Sequence, residues 1–565
     1  MRRFLPLALV ALLALTLLPG LAAVDATDER EARDLVTAYE STNHREWLSP
    51  IYGYEPFFEK PLPGYAPEVL TRRLLIRLLP GAERSLTDVA ASRLVRALLA
   101  AALALAVTAI GIRAFGARSG WLAGCIMASS LGLPLAARAD GVQVYATLLT
   151  WLGLGQWIAL LTGRARVPNA ALTLGWLALG AVAITGGLLP ALWPLVGFWL
   201  YFSLARRGRR AGAQAVTTEK PASEGWRVLD PWMGAVVVAG ACLPWYGIMT
   251  AIHGAPFLAR VPWFPYASGV RGSWLAGAPL ALSFAVVASF PWTPLLAGAL
   301  ADAALRLRRA AGRPAPALPL DTEHVEHLLL ALALAGALPI ALYPGPPLTA
   351  ALPGLPAVAL LVGRFADRVL DGRLPASALT HAVRWLAVIG TAFALAGLSL
   401  ASRLPGAANE LRLFAVALFL CAWMPLLADL RGAKRIAVAL FALPAALGAP
   451  LLHLRVLPAL EPWLDARAVA EVMQRVSPPR APLVVFDPPP PSLRESLRRN
   501  FVSRSVVMKS DADVTARDGF VYAAYRPERE ASARAALAPL GATPEVLART
   551  PVLVLVRVPA APALQ

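Results

Sequence analysis

Acidic residues beside the apolar segments near the amino terminus are the first candidates for chemistry. Asp28 and Glu29 follow the first apolar segment, and Asp140 directly precedes a later one. If these positions face the same end of a helix bundle, their carboxylates reach one cavity, where one acts as a general base and another orients a donor. For Asp28 the alternative is a plain helix N-cap, a role that Asp fills routinely. The sequence leaves both roles open.

Lys60 is the candidate for binding an anion. The chain contains 53 Lys and Arg residues, of which only four are Lys, and Lys60 follows Glu59 in a segment rich in aromatic residues. A compact ammonium suits a phosphate or pyrophosphate as a point charge. The alternative is an interfacial lysine whose aliphatic part lies in the bilayer.

The composition shows which elements must position these side chains. Of the 565 residues, 57% are hydrophobic and 16% are charged, and the mean hydropathy is +0.58. A soluble chain of this length has charged residues near about a quarter of its composition. The chain is therefore predicted to be an integral membrane protein, which excludes a secreted enzyme, a cytosolic enzyme and a disordered scaffold. The net charge of +18 indicates basic cytoplasmic loops that face anionic lipid, and not nucleic-acid binding.

Apolar runs predict thirteen transmembrane spans, and the first is interpreted as an uncleaved helix because its apolar stretch exceeds a cleaved signal core. Alternate connecting segments hold 23 Lys or Arg residues, whereas the intervening short loops hold four. Basic loops stay in the cytoplasm, which predicts a cytoplasmic amino terminus. The predicted spans are 4–24, 89–112, 119–136, 141–162, 170–186, 188–205, 232–252, 276–300, 328–343, 347–363, 382–402, 411–428 and 436–453.

Two longer segments then fall outside the cytoplasm, and they divide the chain into two predicted domains. Residues 1–453 form a transmembrane domain that includes a structured first loop over 25–88, and residues 454–565 form a small α/β domain. In the second domain, short β-prone runs are predicted at 483–487, 501–508, 519–525 and 552–558, with helices over 492–499 and 529–540 between them.

The order of these features resembles a known family. A single span is followed by Asp28-Glu29, by Trp47-x-x-Pro50, by Phe57-Phe58-Glu59-Lys60-Pro61, and then by many spans and the α/β tail. This order is similar to the aminoarabinose-transferase-like branch of bacterial GT-C glycosyltransferases, which also resembles the protein O-mannosyltransferases. The resemblance implies an all-α polytopic membrane fold of GT-C type with a small periplasmic α/β domain.

The resemblance also implies an activity and roles for residues. Such enzymes move a sugar from a polyprenyl-phosphate donor to lipid A, another glycolipid or a protein on the periplasmic face of the bacterial inner membrane. The implied catalytic residues are Asp28, its neighbour Glu29, and Asp140, while Lys60 and Arg138 meet the donor phosphate. A divalent metal is the implied cofactor, with Glu59 and His253 as its candidate ligands, although a lone loop histidine is more often ordinary surface.

The competing interpretation is a non-catalytic membrane protein, either a transporter or an envelope assembly factor. A transporter normally places ionisable groups near the middle of the bilayer. The predicted spans are nearly free of such groups, and the acids lie at one aqueous edge. This placement favours the transferase.

Overall fold

The computed structural model describes most of the chain. The described residues are 4–24, 26, 28–44, 48–52, 55–58, 60–78, 86–211, 225–259, 283, 285–310, 318–338, 348–464, 467–476, 483–486, 493, 505–507, 520–538 and 543–559. Helices dominate from the amino terminus to residue 464, and a small mixed sheet follows.

Twelve helices are described in the amino-terminal half of the chain. They are α1 (Leu5–Leu17), α2 (Glu29–Asn43), α3 (Leu62–Leu78), α4 (Leu86–Phe115), α5 (Ala117–Ser129), α6 (Gly132–Ala139), α7 (Gly141–Leu161), α8 (Pro168–Thr185), α9 (Leu188–Ala211), α10 (Gly225–Val228), α11 (Pro231–His253) and α12 (Ala255–Leu258). Two short strands, β1 (Ile51–Tyr52) and β2 (Glu55–Pro56), form an antiparallel pair between α2 and α3.

The second half of the chain adds ten described helices, of which the first eight continue the bundle and the last two pack on the carboxyl-terminal sheet. They are Thr293–Ala310, Thr322–Gly336, Leu355–Leu370, Ser377–Arg403, Ala408–Leu430, Lys434–Leu440, Leu443–Leu451, Leu457–Leu464, Arg467–Val476 and Glu530–Leu537. Short 3-10 helices lie at Leu348–Gly354, Pro405–Ala407 and Pro527–Arg529, and a π-helical turn lies at Leu452–Val456.

The described residues contain eight helices long and apolar enough to span a membrane, or nine if the bent pair α5 and α6 forms one span. This confirms a polytopic membrane protein, although the count is below the thirteen predicted spans. One reason is that α1 is only 13 residues long, which at about 1.5 Å per residue is shorter than the ~30 Å hydrocarbon layer. Another is that residues 276–282 and 284 of the predicted span 276–300 lie outside the described ranges, and a turn at 289–292 interrupts the described remainder.

Small residues allow the helices of the core to pack closely. A Cβ atom added at Gly120 would lie 2.3 Å from the backbone nitrogen of Ile112, and one added at Gly111 would lie 2.7 Å from the Cα of Gly120. Glycine at both positions therefore permits the backbones of α4 and α5 to approach each other directly, as small residues do in membrane bundles.

Ion pairs join α5 and the helices Thr293–Ala310, Thr322–Gly336 and Leu355–Leu370 to one another. Asp302 and Glu326 pair with arginines of the helix Leu355–Leu370: Arg368 Nη1 lies 2.6 Å from Asp302 Oδ2, and Arg364 Nε lies 3.3 Å from Glu326 Oε1. Arg118 of α5 contacts Asp367 of that helix. The basic loops counted in the sequence are thus partly neutralised by acids on neighbouring helices.

The carboxyl-terminal unit is built on a five-stranded sheet in the order β4–β3–β5–β7–β6. The strands are β3 (Leu483–Val485), β4 (Ser505–Val507), β5 (Phe520–Tyr525), β6 (Glu545–Arg549) and β7 (Val554–Pro559). β3 is parallel to β4 and β5, whereas β7 is antiparallel to β5 and β6. Its α/β character is as predicted. β6 was not predicted, and the predicted helix over 492–499 lies almost entirely outside the described residues.

Candidate active site

The first loop folds into two helices that carry acids to the bundle. Asp28 is the N-cap of α2: its Oδ1 accepts hydrogen bonds from the backbone nitrogens of Arg30 at 2.8 Å and Glu31 at 3.3 Å. Glu31 and Asp34 lie three residues apart, so they share one face of α2. That face is buried, and both side chains are almost completely excluded from solvent.

Lys60 lies between two carboxylates. Its Nζ is 3.2 Å from Asp34 Oδ1 and 3.1 Å from Asp140 Oδ1, and the residue is only 7% exposed. Asp140 is held in place because it caps α7, where its Oδ1 accepts a hydrogen bond from Gln143 N at 3.0 Å. Two of the residues singled out in the sequence, Lys60 and Asp140, are therefore in direct contact.

Two arginines of α4 meet the acids from the other side. Arg93 binds both oxygens of Glu31, with Nε 2.6 Å from Oε1 and Nη2 2.9 Å from Oε2. Arg96 Nε donates to Glu68 Oε1 of α3 at 2.6 Å, and Arg96 Nη2 lies 4.0 Å from Asp34 Oδ2. Both arginines lie within the apolar span Val89–Phe115, which corrects the expectation that the spans are nearly free of ionisable groups. They are tolerated because each is paired with a carboxylate.

Burial and neighbouring charges separate the pKa values of the two carboxyls that share Lys60. Burial raises the pKa of Asp34 to about 7; Lys60 opposes this shift, while the negative charges of Asp140 and Glu68 add to it. Burial acts in the same direction on Asp140, but Lys60, Arg30 and the Gln143 N–H outweigh it and lower its pKa. Of the two carboxyls, Asp140 is therefore the more stable anion, and Asp34 is the one that takes up a proton more readily.

Arg138 binds backbone in this structure. Its Nη1 donates to the carbonyl of Gly20 at 3.0 Å, and its Nη2 donates to the carbonyl of Pro19. Its own carbonyl accepts a hydrogen bond from Arg96 Nη1 at 2.9 Å. Arg138 thus connects the turn after α1 to the charged cluster, and its predicted role at a phosphate stays a prediction.

The rest of the first loop packs on α11 and α12. Ser49 Oγ and His253 Nε2 share a hydrogen bond of 2.7 Å, and the Phe58 ring packs edge-on against His253 at 4.9 Å between centroids. Trp245 Nε1 donates to the carbonyl of Leu48 at 3.3 Å. These contacts fix the position of the segment that leads to Lys60.

The predicted metal ligands do not form a centre in the described part of the chain. There, no group of three or more His, Cys, Asp or Glu side chains is placed to hold a metal ion. His253 is bonded to Ser49, and Glu59 lies outside the described residues. Glu29 begins α2, but its side chain is also outside them. The divalent metal therefore rests on the resemblance alone.

A cavity large enough for about one water molecule adjoins the charged cluster. Glu68, Arg72 and Ser92 line it. Glu68 Oε2 and Ser92 Oγ are buried without a hydrogen-bond partner among the described residues.

The sequence reasoning did not identify several residues of this cluster. A usable signal existed in α4, because two arginines inside an apolar helix are rare without a partner. The acids of α2 and α3 lie in polar surroundings in the sequence, so no comparable sequence signal identified them. The missed residues are Glu31, Asp34, Glu68, Arg93 and Arg96.

Comparison with known proteins shows the fold. No family model and no curated protein matches the sequence. Crystal structures of ArnT from Cupriavidus metallidurans, bound to undecaprenyl phosphate and in the apo state, match over 98% of this chain and 97% of theirs, with a TM-score of 0.71 and 18% identity. The archaeal oligosaccharyltransferase AglB from Archaeoglobus fulgidus, in complex with an inhibitory peptide and a dolichol-phosphate, matches over 94% of this chain and 70% of its own, with a TM-score of 0.51 and 13% identity. The predicted GT-C type polytopic fold with a carboxyl-terminal α/β domain is confirmed.

Proposed function

We propose that this protein transfers a sugar from a polyprenyl-phosphate donor to a glycolipid or protein acceptor at the periplasmic face of the inner membrane. The observation that carries the proposal is the Asp34–Lys60–Asp140 cluster at one end of a bundle whose fold matches ArnT over almost its whole length. The ArnT structure is bound to undecaprenyl phosphate, and the AglB structure is in complex with a dolichol-phosphate. The donor class is taken from these neighbours.

The cluster suits a transfer in which a lipid phosphate leaves the sugar. Lys60 provides a positive charge at the leaving phosphate, where negative charge grows in the transition state. Asp140 and the cap of α7 fix the position of that ammonium, so little reorganisation is needed when the reaction occurs. The acceptor loses a proton, and Asp28, which is exposed at the start of α2, is the proposed base or orienting group.

The sugar, the acceptor and the orientation in the membrane are part of the same proposal. A pentose or hexose is the proposed sugar, and lipid A, another glycolipid or a protein is the proposed acceptor. The proposed orientation places the amino terminus in the cytoplasm and the carboxyl-terminal sheet in the periplasm, because the basic loops alternate along the chain.

The test measures donor dependence with purified protein in detergent. Wild type, Lys60→Ala and Lys60→Arg are titrated with a polyprenyl-phosphate sugar, and Lys434→Ala, at an exposed lysine of another helix, is the matched control. Loss of a charge-assisted contact costs about 1.5–3 kcal/mol, so Lys60→Ala should need roughly 10- to 150-fold more donor. Lys60→Arg should restore this only partly, because a planar fork differs from a point charge.

Two outcomes would contradict the proposal. Equal donor dependence in all four proteins removes Lys60 from the site. An unchanged set of envelope glycolipids and glycoproteins, measured by mass spectrometry in cells with and without the chain, removes the transferase activity itself. Because Lys60→Ala leaves Asp34 and Asp140 without their shared cation, its thermal stability is measured alongside, and Lys60→Arg serves as the variant that keeps the charge.

A further inference from the structure

The arrangement around Lys60 poses an electrostatic problem for an anionic ligand. One ammonium already contacts two carboxylates, Asp34 and Asp140. A phosphodiester that approaches Lys60 would be a third negative group around a single positive charge, in a pocket from which water is nearly excluded. Like charges at such distances in a buried site are not all retained, and one group takes up a proton.

The neighbours of the two carboxylates show which one takes the proton. Asp140 is stabilised as an anion by the N–H at the start of α7 and by Arg30 in addition to Lys60. Four charged groups act on Asp34 of α2. They are Lys60 in the loop before α3, Asp140 at the start of α7, Glu68 of α3 and Arg96 of α4. Arg96 lies 4.0 Å from Asp34 but only 2.6 Å from Glu68, so its charge is mainly committed to Glu68. Asp34 is therefore the weaker anion.

We infer that Asp34 is a positioning residue that couples proton uptake to binding of the donor phosphate: its carboxyl takes a proton from solvent when the anion binds at Lys60 and returns it when the anion leaves. This rests on the proposed function. With Asp34 neutral, Lys60 and Asp140 form a neutral pair, and the ammonium can turn one donor toward the phosphate. The pKa of Asp34, raised by burial to about 7, places this exchange near neutral pH.

The test uses a ligand whose own charge does not change. A polyprenyl methyl phosphate is a phosphodiester, so it lacks the second proton that a phosphomonoester loses near pH 6. Its affinity for the full-length protein in nanodiscs is measured by calorimetry across neutral pH. Wild type should bind more weakly as pH rises through the Asp34 transition, by up to about tenfold per pH unit.

Two variants test whether the pH dependence of binding arises from Asp34 or from a general effect of pH on the protein. Asp34→Asn should bind with the low-pH affinity of wild type at every pH, and the proton uptake found by comparing buffers of different ionisation enthalpy should fall from about one proton to none. Glu68→Gln removes a charge that raises the pKa of Asp34, so it should shift the transition to lower pH while leaving proton uptake intact. The second variant keeps the inference testable if Asp34→Asn does not fold.

The outcomes distinguish this inference from the proposed function. If Asp34→Asn keeps the pH dependence and proton uptake of wild type, the coupling is refuted while phosphate binding at Lys60 stands. If Glu68→Gln shifts the transition upward or not at all, Asp34 is not the titrating group. If wild type and the Lys434→Ala control bind the phosphodiester at no pH, the proposed function fails, and the coupling fails with it.

Discussion

The ion pair between Arg96 and Glu68 allows a quantitative test of the buried cluster. Arg96→Met leaves Glu68 as a buried charge without its closest cation, and Glu68→Met does the same to Arg96. Removing one partner of a buried pair costs about 3–5 kcal/mol. If the two residues acted independently, the double variant would therefore lose about 6–10 kcal/mol.

The double variant should lose much less. Replacing a whole buried pair by apolar residues of similar size is often close to neutral. The double variant also loses the hydrogen bond from Arg96 Nη1 to the Arg138 carbonyl, which leaves a buried acceptor and costs about 1–3 kcal/mol. The expected coupling energy is therefore at least about 3 kcal/mol, at the upper end of values measured for contacting residues.

The assay is equilibrium unfolding by SDS in mixed micelles, followed by tryptophan fluorescence. Arg384→Met, at an exposed arginine of the helix Ser377–Arg403, is the control and should change the free energy of unfolding by less than about 0.5 kcal/mol. A double variant as unstable as the two single variants added together would refute the pairing of Arg96 with Glu68.

Two further predictions concern orientation and the cap of α2. A reporter fused after Arg210 should be cytoplasmic and one fused after Gln565 should be periplasmic; a cytoplasmic signal from both would mean that the number of spans is wrong by one. Asp28→Asn should keep the hydrogen bonds to Arg30 N and Glu31 N and hence the stability, but should slow sugar transfer by about 100- to 10,000-fold if Asp28 is the base. Wild-type turnover at equal membrane abundance would leave Asp28 as a cap only.

Part of the site could be predicted from local sequence, and part could not. Lys60 was conspicuous because lysine is rare in this chain, and Asp140 because it precedes an apolar run, so both could be identified without coordinates. Their contact could not, because it depends on how the loop before α3 meets the start of α7. Asp34 was hidden for the same reason: its burial follows from packing of α2 against α3 and α4, which no local pattern specifies.

The arginines of α4 were missed because of averaging. Ala and Leu make up most of that span, so its average hydropathy stays high although it contains Arg93 and Arg96. The predicted length of α1 was too great for a similar reason, because a run of about 20 apolar residues contains a helix of only 13 residues. Composition thus predicts that a segment enters the membrane better than it predicts where its helix ends or which charges it carries.

The two arginines of α4 also bear on how the chain is assembled in the membrane. Arginine at the middle of an inserting helix costs about 2.5–3.5 kcal/mol, and less near its ends. Arg93 and Arg96 lie near the start of their span, and their partners Glu31 and Glu68 belong to α2 and α3, which precede α4 in the chain. During synthesis these acids leave the ribosome first, so α4 enters the bilayer when its counter-ions have already been made. The order of the elements along the chain therefore lets the charged helix be neutralised as it inserts, without waiting for the later spans.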